Sequence, residues 1–427
     1  MIIHVVQPGD SIYSIAATYN ALPRQIIRDN QLANPNYLVP GQTIVVLFPS
    51  QYHTVRPGDT LSSIAEMYDT SVVKLMQNNL HITDPTNLAL GEEIVISYEE
   101  PKIGPIHVNG YAYPIIDRNV LRKTLPYLTY LTLFTYGITP EGNLIDIEDE
   151  ELIQMAREYG VAPLMLISTL TEEGTFSNEL ASVILNNQEA QNNLIENVLN
   201  TLKTKNYYGL DVDFEFILPE DRDAYTQFIR NLTNRLNEEG FIVFTALAPK
   251  VSADQPGLLY EAHDYPALGD VSNRVLLMTY EWGYTYGPAM AVAPVDKVRE
   301  VLDYAITEID PNKIYMGIPN YGYDFILPFV EGVSRAESLS NVEAVELAGE
   351  VGEYILYDET AQSPYYVYYD AQGRQHQVWF EDARSIQAKL DLFNEYGFEG
   401  VSYWNIMRFF PQNWLVVNSL YDIAKVL

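Results

Sequence analysis

Three acids at alternating positions, Asp211, Asp213 and Glu215, give the run Tyr208-Gly209-Leu210-Asp211-Val212-Asp213-Phe214-Glu215 the most chemically suggestive pattern in the chain. Side chains along a strand alternate between faces, so the acids share one side while Leu210, Val212, Phe214 and Phe216 share the other. On an exposed sheet the acids would simply face water. In a parallel barrel the apolar side packs against helices and the acids point inward, where an unpaired carboxylate is costly. Carboxylates stacked in this way push one another's pKa values apart and leave one protonated near neutral pH. Glu215, nearest the C-terminal mouth where barrel enzymes keep their sites, is the expected acid.

Spacing narrows the chemistry. Positions two apart on a strand lie roughly 6.6 Å apart, so Asp213 and Glu215 reach a substrate from the same side. A glycosidase with a carboxylate nucleophile needs its acid and nucleophile to flank the scissile bond, which this arrangement fits poorly. It fits attack by an acetamido oxygen of the substrate itself, with Glu215 protonating the leaving group and Asp213 holding the acetamide.

The elements that must position these acids can be read from the remaining pattern. Strand-like runs alternate with helix-length segments from His107 onward: His107–Tyr113, Tyr130–Thr135, Ala162–Ile167, Gly209–Phe216, Ile242–Leu247, Arg274–Tyr280, Ile314–Ile318 and Gly400–Trp404. Eight strands with helical connections over about 320 residues predict an α/β fold, a (β/α)8 barrel spanning 107–427. A small α+β insertion, about 324–378, falls between strands 7 and 8. It contains the stretch Tyr365–Tyr369, a turn at Asp370–Gly373 and a return strand ending near Trp379. A linker at 99–106, rich in Pro, Gly and charge, precedes the barrel.

Ahead of the linker the chain repeats itself. His4-Val5-Val6-Gln7-Pro8-Gly9-Asp10-Ser11-Ile12 returns as His53-Thr54-Val55-Arg56-Pro57-Gly58-Asp59-Thr60-Leu61, and Asn34–Gly41 returns as Asp84–Gly91. Each copy (1–48 and 51–98) reads as a short strand, a Pro-Gly turn, two short helices and a closing strand, giving βααβ. Asp10 and Asp59 are the expected caps of the first helix in each copy.

Two family resemblances follow. The copies resemble the LysM module, which binds N-acetylglucosamine-containing glycans between its first and last loops. That resemblance implies glycan contacts at Gly9, Asp10, Ser11, Ile12, Asn36 and Leu38, and at Gly58, Asp59, Thr60, Leu61, Asn87 and Leu88. The acidic run resembles the D-x-x-D-x-D-x-E signature of glycoside hydrolase family 18. It implies Glu215 as general acid/base, Asp213 as acetamido orienter and Asp211 as tuner of the pair, with Tyr208 replacing the first Asp. Met278-Thr279-Tyr280-Glu281 resembles the family's M-x-Y-D, whose Tyr (Tyr280) binds the acetamido carbonyl; Glu281 replaces its Asp. Tyr111, Met278, Trp282, Tyr321 and Trp404 then line the sugar site, Trp404 as its floor. Most of the 33 tyrosines are expected to be filling instead.

Composition excludes other classes. With 57 acidic against 25 basic residues and a formal net charge of −32, the surface repels nucleic acid and anionic membranes. There is no cysteine, and the six histidines stand singly, so neither a metal nor a cofactor is expected. No apolar run is long enough to span a bilayer. The two repeats before such a barrel resemble the spore cortex-lytic N-acetylglucosaminidases of spore-forming bacteria. This implies a cortex peptidoglycan hydrolase, made without a signal peptide in the mother cell and placed in the spore. A chitinase, or a non-catalytic glycan-binding coat protein, is the alternative.

Overall fold

The computed structural model describes residues 1–171 and 174–427. Strand β1 (Ile2–Val5), helices α1 (Ile12–Tyr19) and α2 (Pro23–Asp29) and strand β2 (Thr43–Val46) form the first repeat. The second comprises β3 (Pro49–Thr54), α3 (Leu61–Met67), α4 (Val72–Asn78) and β4 (Glu93–Tyr98). In each, the two strands pair antiparallel.

The helix caps differ from expectation. Ser11 and Thr60, not Asp10 and Asp59, cap α1 and α3, each accepting the N–H of the residue three positions on. The hydroxyl of Ser14 or Ser63 accepts in return from the cap N–H, closing a capping box. Asp10 accepts instead from the Gln7 N–H at 2.7 Å and lies 3.0 Å from His4. Asp59 does the same with the Arg56 N–H and His53, at 2.7 and 2.8 Å. Each aspartate sits one residue before the cap, so its side chain folds back over the Pro-Gly turn. Gly9 and Gly58, at φ +94° and +93°, supply the left-handed backbone that the turn requires.

The barrel starts with β5 (Gly104–Ala112), so its first strand begins inside the expected linker. Helix α5 (Arg118–Thr124), β6 (Tyr130–Ile138), the two-residue β7 (Leu144–Ile145), α6 (Glu150–Glu158) and β8 (Ala162–Ser168) follow. Next come α7 (Asn178–Leu185), α8 (Gln188–Thr204), β9 (Gly209–Asp213), α9 (Arg222–Asn237) and β10 (Ile242–Leu247). The chain continues through α10 (Tyr265–Val271), β11 (Arg274–Leu277), α11 (Val295–Glu308) and β12 (Ile314–Pro319). Then the insertion departs: β13 (Gly322–Leu327), β14 (Glu337–Leu339), α12 (Asn341–Val351), β15 (Leu356–Asp358), β16 (Ser363–Tyr369) and β17 (Gln375–Trp379). Its antiparallel sheet has the order β14-β13-β17-β16-β15 and starts slightly earlier than the sequence suggests. Helix α13 (Ala383–Tyr396), β18 (Gly400–Trp404), α14 (Pro411–Leu420) and β19 (Tyr421–Ile423) complete the chain. Strands β5, β6, β8, β9, β10, β11, β12 and β18 pair in parallel and close through β18–β5.

Leu210, Val212 and Phe214 are fully buried under the helices, and Phe214 stacks on Tyr225 and Phe228 of α9 at 6.0 and 5.8 Å. Phe216 breaks the expected alternation. It is 36% exposed because β9 stops at Asp213 and the backbone turns left-handed at Phe216, φ +55°. Its ring leans toward Phe176 at the mouth instead, at 6.4 Å. The repeats are not loose appendages. Val45, Leu47 and Leu80 belong to the barrel's own apolar core, and the Gln77 side chain donates to Pro126 O at 2.7 Å. The last loop of the first repeat is pinned to the insertion: Ile355 N–H donates to Pro40 O at 2.9 Å, and Val39 packs with Ala344 and Ala348 of α12.

Candidate active site

Asp211 and Asp213 point into the barrel from β9. Asp211 stands between Leu166 of β8 and Phe244 of β10 in register and is fully buried. One of its oxygens accepts the Tyr111 hydroxyl at 2.5 Å; among the described residues the other has no protein partner. Burial in this apolar ring pushes Asp211 up to about 7, against the pull of the Tyr111 hydrogen bond. Asp213 also keeps one oxygen unpartnered among the described residues. Burial first, then the charges of Glu215 and Asp211, raise it well above the carboxylate range.

Glu215 lies past the strand end, half-buried at the mouth. Burial, followed by the charge of Glu281, pushes it up to about 7. The main chain beside it is braced by His263, a residue that sequence reasoning left among the isolated histidines. His263 Nδ1 accepts the Ala248 N–H at 2.7 Å, and Nε2 donates to Phe214 O at 3.1 Å. Burial lowers its pKa to about 4, so the ring stays neutral in that tautomer.

Tyr280 also lies beyond its strand, since β11 ends at Leu277. Its hydroxyl is raised by burial and then by Asp213, Glu215 and Glu281, the acids it faces. A Cβ on Gly317 of β12 would come within 2.7 Å of the Tyr280 ring and 2.6 Å of Leu277 O, so only glycine lets that ring lie where it does. Glu281, at φ +67°, accepts hydroxyls from Tyr321 and, at 3.1 Å, from Tyr323. Burial raises Glu281 while those two hydroxyls oppose the shift. Tyr323 was not anticipated, although its alternation with Tyr321 across Gly322 was a signal.

Trp404 ends β18 and meets Phe134, Tyr111 and Tyr113 edge-on at 5.0, 5.6 and 6.1 Å. Met278 packs into the same inner cluster. Tyr321 and Trp379 of the insertion form an adjoining wall that also touches Tyr280 and Trp404. Trp282, two residues beyond Tyr280, is partly buried and packs like Tyr280 against the barrel's apolar core, with its backbone N–H donating to Val292 O at 3.0 Å. Tyr208 lies near the barrel floor beside Tyr130, ring centroids 6.0 Å apart. The arrangement assembles a proton donor of raised pKa, an adjacent carboxylate, a tyrosine hydroxyl and an aromatic floor. Such a set can protonate a leaving oxygen and hold an amide.

In the repeats, Gly9, Ser11, Asn36, Gly58, Thr60 and Asn87 are exposed, and Asp10, Asp59 and Leu88 are partly so. Ile12 and Leu61 are each 1% exposed and Leu38 9%. These three side chains serve the repeat cores and leave mainly backbone to a glycan.

Comparison with known proteins agrees with this geometry. Residues 127–408 match the glycosyl hydrolases family 18, and residues 4–47 and 53–97 each match the LysM domain. The chain is 40% identical over 431 residues to the cortical fragment-lytic enzyme of Bacillus subtilis (strain 168), covering 100% of this chain and 99% of that protein. The crystal structure of the Bacillus megaterium QM B1551 spore cortex-lytic enzyme SleL superposes with a TM-score of 0.85 at 39% identity, covering 100% and 99% of the two chains. A chitinase from Chromobacterium violaceum ATCC 12472 superposes with a TM-score of 0.67 at 25% identity, covering 73% of this chain and 97% of that one.

Proposed function

The chain belongs to the glycosyl hydrolases family 18 and carries two LysM domains, and on that premise we propose that it hydrolyses spore cortex peptidoglycan after N-acetylglucosamine, by substrate assistance. Glu215, held protonated by burial and by Glu281, gives its proton to the glycosidic oxygen. The acetamido carbonyl oxygen of the same sugar attacks C1 as that bond breaks, forming a cyclic oxazolinium. As the acetamide turns into the ring, Asp213 accepts its N–H and, as a carboxylate, balances the positive charge that develops on the nitrogen; Asp211, holding a proton, sustains that charge on Asp213, and Tyr280 donates to the acetamido group. Glu215, now ionised, removes a proton from water, which opens the ring at C1 from the first face. Configuration is retained, and Glu215 ends protonated as it began. Trp404 lies under the sugar, whose C–H face suits an aromatic ring.

The observation that carries this reading is the buried stack Asp211, Asp213 and Glu215, with the group of accessible position and raised pKa at its exit. The repeats bind N-acetylglucosamine-containing glycan, and a bound strand raises the substrate concentration near the cleft. The spore is the proposed location, supported by the spore cortex-lytic relatives. Among the described residues no helix is long and apolar enough to cross a membrane.

The test is mass-spectrometric product analysis of digested cortex fragments, with Glu215→Gln alongside. Fragments ending in reducing N-acetylglucosamine, and a loss of roughly 10²–10⁴-fold in the variant, are expected. A variant as fast as the wild type would sink the mechanism. Cleavage confined to chitin oligomers would make the protein a chitinase. No new reducing ends from any glycan would leave only a glycan-binding role.

A further inference from the structure

We propose that the cavity between the first repeat and the insertion binds an uncharged, N-acetylated sugar, so that helix α12 adds a glycan site to the repeat's own; this rests on the reading of the repeats as glycan binders. The cavity, of about 390 Å³, is bounded by the last loop of the first repeat, by α12 and by the start of α14. That is the size of a small-ligand site. No residue of the first loop, Gly9–Ile12, lines it, so it is not the groove between the first and last loops that belongs to the repeat alone.

Two amide side chains line it with donors to spare. Gln42 is 7% exposed, and its Oε1 accepts the Val39 N–H at 2.6 Å. That bond fixes the orientation of the amide and leaves Nε2 without a partner among the described residues. Asn341, 1% exposed, turns Oδ1 to the Glu381 N–H at 2.9 Å and keeps Nδ2 unpartnered among the described residues. Buried donors left open are costly, and an acetamido carbonyl entering the cavity is the acceptor they lack. The second repeat is built differently. Glu92 takes the place of Gln42, accepting the Ala89 N–H at 3.0 Å, and its other oxygen meets His81 at 2.7 Å.

The walls suit the rest of such a sugar. Val342, Val345 and Phe410 offer apolar surface for an acetyl methyl. Tyr37, 53% exposed, lies against α12 at Gly349, where a Cβ would come within 3.3 Å of its ring. Glycine weakens a helix interior, and here it makes room for a ring that can take the C–H face of a sugar. Glu346 and Glu350, both exposed, also line the cavity. Their carboxylates accept from sugar hydroxyls and turn away an anionic ligand.

Hydrogen exchange read by mass spectrometry tests this on the full chain carrying Glu215→Gln to prevent cleavage, with a β-1,4-linked tetramer of N-acetylglucosamine as the probe. The amides of 341–351 should be protected together with the loops of the repeats, and a glucose tetramer at equal concentration should protect neither. Gln42→Glu keeps an acceptor for the Val39 N–H, as Glu92 does for Ala89, and removes only the donor. It should raise the half-saturating concentration for 341–351 roughly three- to tenfold, the scale of one hydrogen bond. Val345→Trp, which fills the cavity, should abolish that protection while Gly9–Ile12 keeps its own. Protection confined to the loops of the repeats overturns the cavity site and leaves the repeats as glycan binders. So does protection of 341–351 that the glucose tetramer reproduces or that either substitution leaves unchanged. If neither repeat is protected, it is the glycan-binding reading that fails, and the cavity site with it.

Discussion

Asp10 and Asp59 in the two repeats each receive a backbone N–H and face a histidine, whereas Asp211 and Asp213 in the barrel each keep an oxygen without a protein partner among the described residues. The surroundings push the two pairs in opposite directions. The Gln7 N–H and His4 hold Asp10 below the usual carboxylate range, and His53 and the Arg56 N–H do the same for Asp59. Burial drives Asp211 and Asp213 up. A satisfied aspartate stabilises a turn; an unsatisfied one holds hydrogen-bonding capacity for something that arrives. The contrast separates scaffold from chemistry more sharply than residue type does.

The contrast can be broken by substitution. Asp213→Asn should lose roughly 10²–10³-fold in hydrolysis of cortex fragments without lowering the thermal midpoint, since a neutral amide is easier to bury; unaltered kcat would remove Asp213 from the reaction. Asp211→Asn should be stabilising at alkaline pH by roughly 2–4 kcal/mol, taken from the displacement of its pKa. The sign follows from a folded pKa of about 7 against an ordinary 3.8. Burial penalises the ionised form, so the wild type falls behind the variant as pH rises from 4 to 7, and the gap is constant above that. Denaturant midpoints at pH 4 and 8 check this, and a gap present at pH 4 would contradict it.

Within the repeats, Gly41 and Gly91 are matched at φ +88° and +80°, but a Cβ on Gly41 would lie 1.9 Å from Ile355 O while one on Gly91 meets nothing within 4 Å. Gly91→Ala should cost about 1 kcal/mol of backbone strain, and Gly41→Ala roughly 2 kcal/mol more. Equal costs would mean the first repeat is not clamped. The smallest expected effect is kinetic. Removing the charge in Glu281→Gln eases ionisation of Glu215, so the alkaline limb of the pH–rate profile should move to lower pH. An unmoved limb would separate the two residues.

Local pattern carried much of this into view. The alternation of acids with Leu210, Val212 and Phe214 identified the inward face, and the repeated Pro-Gly-Asp located both βααβ units. Where the strand stops was not legible, because the left-handed turn at Phe216 leaves no mark in residue type. The assignment of the cap to Asp10 failed for a related reason: aspartate and serine both suit a helix start, and only the backbone direction decides between them. Contacts between distant segments were invisible. Glu281 meets Tyr321 and Tyr323 through a strand and a helix, and His263 reaches Phe214 O across 49 positions. Tyr208, a departure from the family signature, sets its ring beside Tyr130 near the barrel floor, a neighbour 78 positions away in the chain.

The seam between Pro40 and Ile355 bears on how such a gene can change. A repeat hung on a slack tether can be duplicated, dropped or exchanged without the enzyme noticing. The first repeat has lost that freedom, because any replacement must bring a glycine at 41 and an apolar residue at 39 to fit the insertion. The corresponding loop of the second repeat, with Asn87 and Ala89 in solvent, carries no such debt and is free to diverge toward new glycans.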